Sequence, residues 1–311
     1  MSTGPGTDHR RALVLGGGGV TGIAWEVGVL AGLRAAGLDL ASADAVIGTS
    51  AGAFVGAALA SGHDLEQLVV AQSVPDPNEL PAVASEEVMV AWYGAFTGGG
   101  SDRRQVGMAM GRIGRAHPEP VPRAARRPVV RARLVTTDWP AALQVTAIDA
   151  DTGELHVFDA ASEVPLVDAV AASGAVPGVW PLERFAGRAW IDGGMVSAAN
   201  AHLASGYDWV VVIAPLPDGY GAIPGAAQDV AALSAHTRVL LVAPDEHSVA
   251  AVGPNIYDPA RRGAAAAAGR AQGVASQRRL PQSGSCGHRA ASPHALDEHG
   301  SRPVLAYSRA G

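Results

Sequence analysis

The pentapeptide Gly48-Thr49-Ser50-Ala51-Gly52 sets a hydroxyl between two glycines in the pattern G-x-S-x-G. Where a strand turns sharply into a helix, that pattern holds the serine at the apex of a strained turn with its hydroxyl exposed. The flanking glycines remove Cβ atoms that would clash there. The N-terminus of the following helix offers unpaired N–H groups and a positive dipole end to a developing oxyanion. The flanks fit: Ala45 to Ile47 reads as a short apolar strand, and Ala51 to about Ser61 as a small-residue helix. The chemistry implied is nucleophilic attack by Ser50. A Gly/Ser-rich turn without chemistry would look the same, so the surroundings decide.

A second glycine loop, Gly16-Gly17-Gly18-Gly19-Val20-Thr21-Gly22, follows an apolar run, Ala12 to Leu15, and precedes a helix marked by Ile23, Val27, Leu30 and Leu33. Gly17-x-Gly19-x-x-Gly22 fits the dinucleotide-binding fingerprint of an oxidoreductase. That fingerprint needs an acidic residue at the end of the second strand. Here the strand ends Ile47-Gly48-Thr49-Ser50, and Asp44 lies at its start. The other reading joins the two loops. Both leave the carboxyl ends of early strands, where ligands gather in open α/β sheets. Consecutive glycines can then turn main-chain N–H groups toward one point beside Ser50, forming an oxyanion hole.

A serine hydroxyl needs a base. His63, His156, His202, His236 and His247 lie in the patterned part of the chain, and none sits in a distinctive motif. His202 and His247 fit a triad best among them. Asp192 follows a short strand, Ala189-Trp190-Ile191, and precedes Gly193-Gly194. That step reads as a turn. It is also what a carboxylate needs to face a site without bulky neighbours, where desolvation would raise its pKa toward that of a working base.

The elements that must position these groups alternate. Ala12–Leu15, Leu143–Asp149, Arg188–Ile191, Asp208–Ala214 and Arg238–Val242 read as strands, and Glu154–Phe158 as the return of a hairpin. Helices are expected from Asp64, over Glu86–Phe96, Pro165–Ser173 and Ala198–Ala204, and from Pro259 to about Val274. Apolar strands alternating with helices predict an α/β fold with a mostly parallel sheet covered on both faces. Residues 1–10 read as a disordered leader, 11–274 as one domain, and 275–311 as a disordered tail. Within the domain, 74–140 reads as a variable cap or insertion, with Gly98-Gly99-Gly100 and the Arg/Pro-rich stretch to Pro128 as exposed connections.

Composition narrows the class. With 48% hydrophobic and 17% charged residues over 311, the chain is globular and can bury a large core. A net charge of −6, with every basic residue an arginine, gives no general attraction to nucleic acid. The one cysteine, Cys286, excludes an intramolecular disulfide and a Cys-rich zinc site, and fits a reducing, cytoplasmic setting. No metal is expected: His288, His294 and His299 lie in the unpatterned tail, where nothing fixes their geometry. No run approaches the ~20 apolar residues of a membrane span, so membrane contact would be peripheral.

Glycine loop, G-x-S-x-G and Asp192-Gly193-Gly194, in that order, resemble the patatin-like phospholipases. Ala172-Ser173-Gly174-Ala175-Val176-Pro177-Gly178-Val179-Trp180-Pro181 resembles that family's A-S-x-A-x-P-x-x-x-P block. The likeness covers about residues 11–62 and 143–215. It implies a three-layer α/β/α fold and a Ser-Asp dyad without histidine or cofactor. Ser50 would be the nucleophile, Asp192 the base, and Gly17, Gly18 and Gly19 the oxyanion loop. The implied reaction is hydrolysis of a lipid acyl ester through an acyl-enzyme. The chain departs from the pattern at Thr21, where the family's loop usually carries Arg or Lys. That bears on phospholipid preference, and a catalytically weak or silent lipid-binding relative is the alternative it raises.

Overall fold

Leu13 and Leu15 point to one side of the first strand and Ala12 and Val14 to the other, and all four are buried. A strand buried on both faces needs a layer on each, and the chain supplies both. The structure is a computed structural model and describes residues 9–77, 79–117, 121–221, 223–234 and 237–276. The disordered tail was expected from residue 275, whereas Ala275 and Ser276 still belong to the last helix; the rest of the tail, with Cys286 and its histidines, and His236 lie outside the described residues, as does most of the leader.

In chain order the strands are β1 (Arg11–Leu15), β2 (Ala45–Gly48), β3 (Leu143–Asp149), β4 (Leu155–Phe158), β5 (Glu183–Phe185), β6 (Arg188–Asp192), β7 (Trp209–Ile213) and β8 (Arg238–Val242). The helices are α1 (Gly19–Ala35), α2 (Ala51–Ala60), α3 (Leu65–Gln72), α4 (Glu86–Gly98), α5 (Arg103–Ala116), α6 (Arg123–Arg133), α7 (Leu166–Ser173), α8 (Ala226–Leu233), α9 (Glu246–Val252) and α10 (Arg262–Ser276). The sheet runs β5-β6-β3-β2-β1-β7-β8, with β4 also on β3. Pairings among β3, β2, β1, β7 and β8 are parallel, and those of β4, β5 and β6 are antiparallel. Helices α1, α2, α7 and α10 pack on the Leu13/Leu15 face; α8 and the 3-10 turn Ala201–Ala204 pack on the other. The predicted α/β architecture with a mostly parallel sheet is the observed one.

One arrangement in this sheet positions the chemistry. Val145 pairs with Gly48 of β2 and with Phe158 of β4, so those strands lie on opposite edges of β3. Ala147 pairs with His156 of β4 and with Asp192 of β6, so β6 shares the β2 edge. Along that edge β2 runs parallel to β3 and stops at Gly48. β6 arrives from the opposite direction and stops at Asp192. Two strand ends thus meet nose to nose.

The insertion departs from expectation. Where 98–128 was expected to be exposed connection, α5 and most of α6 form. Asp102 caps α5 by accepting from the N–H groups of Arg104 and Gln105. Gly107 and Gly111, one turn apart, let α5 lie on the β3–β4 turn: a Cβ at Gly111 would stand 2.0 Å from the Ala150 carbonyl oxygen. Pro128 sits inside α6, forgoing one helical hydrogen bond. Ion pairs anchor that helix: Arg123 and Arg127 to Glu183, Arg127 to Asp168, and Arg133 to Glu79. The helix expected over Ala198–Ala204 is reduced to the short 3-10 turn, because Asn200 adopts a left-handed conformation with φ 52°.

Candidate active site

Ser50 occupies the turn between β2 and α2 with φ 53° and ψ −111°, a backbone state that non-glycine residues adopt only when their surroundings enforce it. The enforcement is visible. The Ser50 N–H donates to Ser173 Oγ at 2.8 Å. The Gly52 N–H donates to the Gly16 carbonyl at 2.9 Å. A Cβ at Gly52 would stand 2.1 Å from the Leu15 carbonyl oxygen, and one at Gly48 would stand 2.6 Å from that of Gly52. Both glycines of the pentapeptide are therefore required by close approach. Ser50 retains 8% exposure and lines a cavity shared with Gly19, Val20 and Phe54.

Asp192, at the end of β6, is 2% exposed. Its Oδ1 accepts the Gly194 N–H at 2.6 Å. Burial pushes its carboxyl up to about 6, partly offset by hydrogen bonding from the Ser50 side chain, by the Gly194 N–H and by the Arg126 guanidinium. A glycine is needed at 193, because a Cβ there would stand 2.4 Å from Thr146 Oγ1. Thr146 lies on β3 between the partners of Gly48 and Asp192, and its Oγ1 is 2.8 Å from Thr49 Oγ1.

The first glycine loop stands on the other side of Ser50. The Gly17 N–H donates to the Ala198 carbonyl at 2.7 Å, so Gly17 lends shape rather than a donor. A Cβ at Gly17 would lie 3.6 Å from that of Ser50. Gly18, Gly19 and Val20 form the start of α1, whose first N–H groups have no intrahelical acceptor. Gly19 has φ +62°, and a Cβ there would stand 2.5 Å from the Ile256 carbonyl oxygen. The Thr21 N–H and hydroxyl both donate to that same carbonyl, at 3.1 and 3.3 Å. Thr21 is fully buried.

The histidines go elsewhere. His202 Nδ1 faces Arg103 Nη1 at 3.1 Å, and that arginine also binds Asp229. Burial and Arg103 lower the His202 pKa. His247 is exposed on α9. His156 stacks among Phe158 and Trp190. Among the described residues no histidine lines the cavity at Ser50. The dinucleotide reading fares no better: Asp44 accepts the Arg11 N–H at 2.6 Å at the start of the sheet, away from the glycine loop. Among the described residues no cluster of His, Cys, Asp and Glu could hold a metal ion.

Three contributors escaped the sequence reading. Asn200 donates to Thr49 Oγ1 at 3.1 Å and to the Gly193 carbonyl at 3.0 Å, tying the serine turn to the aspartate turn. Ser173 holds the Ser50 amide; its signal was the Ala172-Ser173 block, whose likeness was noted without a role. Arg126 comes from the insertion, where no block could be placed.

These features define a serine-centred site at the carboxyl end of an α/β sheet. The patatin-like phospholipase family model matches residues 13–205, and the chain belongs to that family, which places it among lipid hydrolases. Two solved structures are similar in fold. VipD from Legionella pneumophila shares 14% identity at a TM-score of 0.44, over 88% of this chain and 67% of VipD. The type III effector protein ExoU shares 17% identity at a TM-score of 0.41, over 87% of this chain and 53% of ExoU. This chain thus spans about two thirds of the one and about half of the other. No curated protein matches.

Proposed function

We propose that this protein is a serine acyl hydrolase that cleaves lipid carboxylic esters of the phospholipase A or esterase type through a Ser50–Asp192 dyad. The observation that carries the reading is the meeting of Ser50, in its strained turn, with a buried Asp192 at the facing ends of β2 and β6, where the carboxyl is pushed up to about 6. At neutral pH that carboxylate is ionised, and it is basic enough to accept the serine proton as attack proceeds. Ser50 Oγ attacks the ester carbonyl, and Asp192 takes the hydroxyl proton. The tetrahedral oxyanion is held by N–H groups of Gly18 and Gly19 at the α1 start. Collapse expels the alcohol, which leaves with the proton from Asp192. A water that Asp192 deprotonates then attacks the acyl-enzyme, and Asp192 returns that proton to Ser50 Oγ as the carboxylic acid leaves. Apolar cavity residues such as Val20, Ile23 and Phe54 suit an acyl chain.

Peripheral contact with a lipid surface belongs to the same proposal. Among the described residues no helix is long and apolar enough to cross a membrane. Helix α4 exposes Met89, Val90 and Tyr93, at 37, 66 and 69%, beside its buried face.

The test is hydrolysis of acyl esters by the wild type, Ser50→Ala and Asp192→Asn. Ser50→Ala should fall to background, and Asp192→Asn should lose ~100- to 10,000-fold in kcat. Undiminished turnover by either variant would refute the dyad.

A further inference from the structure

The cavity beside Ser50 takes its lining from the starts of α1 and α2, from the insertion and from the loop after α7. One further lining residue, Tyr257, comes from beyond the matched stretch 13–205. It lies in the connection between α9 and α10, in a turn, and is half-buried.

That connection is tied down on two sides. Toward the glycine loop, the Thr21 N–H and hydroxyl both donate to the Ile256 carbonyl, the one that Gly19 approaches so closely. Toward the insertion, Asn255 Nδ2 donates to the Ala82 carbonyl at 3.1 Å. Asn255 Oδ1 accepts the Tyr257 N–H at 3.1 Å. The tyrosine ring then stands edge-on to Trp180, with centroids 6.4 Å apart and planes at 87°. Hydrogen bonds before the residue and a ring contact beyond it therefore fix where its hydroxyl can go.

Among the described residues nothing hydrogen-bonds that hydroxyl; its neighbours act on it through space alone. A phenol in such surroundings is normally hydrogen-bonded, so its partner is a molecule that enters the cavity. Burial raises its pKa, the Asp192 charge raises it further, Tyr220 adds to this and Arg126 opposes it. The group therefore stays protonated at working pH and serves as a donor. Asp192 is the strongest charge acting on it, which puts the phenol and the dyad carboxylate in one part of the site. The other phenol that feels Asp192, Tyr220, stacks on Phe96 at 4.8 Å and is not part of the cavity lining.

The proposed reaction has an attacking oxygen, a carbonyl oxygen and an alkoxy oxygen to satisfy. The N–H groups at the α1 start serve the carbonyl oxygen. Asp192 takes the proton of Ser50 Oγ and must then hand it to the alkoxy oxygen, so that oxygen stands beside Asp192. We infer that the Tyr257 hydroxyl is a catalytic hydrogen-bond donor to the alkoxy oxygen of the ester, holding it beside Asp192 and stabilising the charge that builds on it. The inference rests on the reading of Ser50 as nucleophile and Asp192 as base. As the bond between the acyl carbon and the alkoxy oxygen breaks, its electron pair passes to that oxygen and the proton comes from Asp192. The phenol keeps its own proton throughout. A donor aimed at charge that develops only in the transition state raises the rate of the step rather than the affinity for substrate.

The test compares the full-length wild type with Tyr257→Phe, which keeps the ring against Trp180, on ethyl octanoate and p-nitrophenyl octanoate. The acyl chain is the same and only the leaving oxygen differs, and kcat/KM reports acylation for both. Tyr257→Phe should lower kcat/KM for the ethyl ester by ~10- to 100-fold, the effect of one hydrogen bond to a charged oxygen. The loss on the p-nitrophenyl ester should be at least ~5-fold smaller, because that leaving group spreads its charge over its own ring and needs less stabilisation from a donor. A merely structural fault would lower both alike. A fluorophosphonate, whose fluoride departs without a proton, should still label Ser50 in Tyr257→Phe. Equal losses on the two esters, no loss on the ethyl ester, or failure of Tyr257→Phe to label would each overturn the inference. Failure of the wild type to label and to cleave either ester would instead refute the nucleophile reading, so the two failures are told apart.

Discussion

A carboxylate as buried as Asp192 destabilises the fold that holds it. In the unfolded chain it titrates at the ordinary aspartate value; in the fold its pKa rises to about 6. The folded state therefore binds the proton more tightly, and the protein loses stability as pH rises through that window. Asp192→Asn, neutral at every pH, should stabilise the protein at about pH 8 by up to ~3 kcal/mol. The gain should shrink on lowering the pH through 6 and vanish below the unfolded value. Urea midpoints measured across that range check it. A constant gain would show that the carboxyl does not titrate as described. The same residue thus carries opposite signs for stability and for the proposed chemistry, which is expected where charge is held for function. Ser50 carries a like burden in its positive φ, which the Ser173 hydroxyl and the Gly52–Gly16 bond maintain.

At the scale of elements, the motif-bearing turns were legible because their residue types leave few alternatives. Gly48 and Gly52 can only be glycine, and Asp64, read as a cap, accepts from the N–H groups of Glu66 and Gln67. The insertion was illegible for the opposite reason. Gly107 and Gly111 fall in the stretch expected as exposed connection; glycine weakens an isolated helix, whereas here the two let a helix lie directly on a turn. The Arg/Pro-rich stretch to Pro128 read as exposed connection, yet its arginines are tied to Glu183, Asp168 and Glu79, contacts that no local pattern reveals. Helices α8 and α9 and strand β5 are short and were not anticipated. The close packing at Gly111 has a measurable consequence. Gly111→Ala would drive a Cβ into the Ala150 carbonyl, where backbone must move, and should cost ~1–3 kcal/mol. Gly98→Ala, at the end of α4 with nothing within 4 Å, should not destabilise. Paired thermal melts decide; equal stability of the two variants would mean that α5 does not sit on the hairpin turn.

At the scale of the molecule, the site is a product of topology. Ser50 and Asp192 lie far apart in sequence and meet because β2 and β6 end against one another on the same edge of β3. Sequence order gave the strands but could not give that shared edge, which follows from a register of three pairings. The chain beyond the family match also belongs to this architecture. β7 pairs with β1 inside the sheet, and α10 lies on α1 through glycines: a Cβ at Gly269 would stand 2.3 Å from the Trp25 carbonyl oxygen, and one at Gly28 would stand 2.1 Å from that of Ala266. The helix whose first turn carries the end of the glycine loop is thereby backed by the last helix described.

The most direct measurement is covalent labelling by a fluorophosphonate, followed by intact mass and peptide mapping, as a function of pH. The account predicts one adduct, on Ser50, absent from Ser50→Ala. Its rate should fall as pH drops below about 6, as Asp192 takes up a proton, and Asp192→Asn should label slowly without that dependence. No adduct, an adduct on another residue, or labelling of Asp192→Asn at the wild-type rate would contradict the assignment of nucleophile and base.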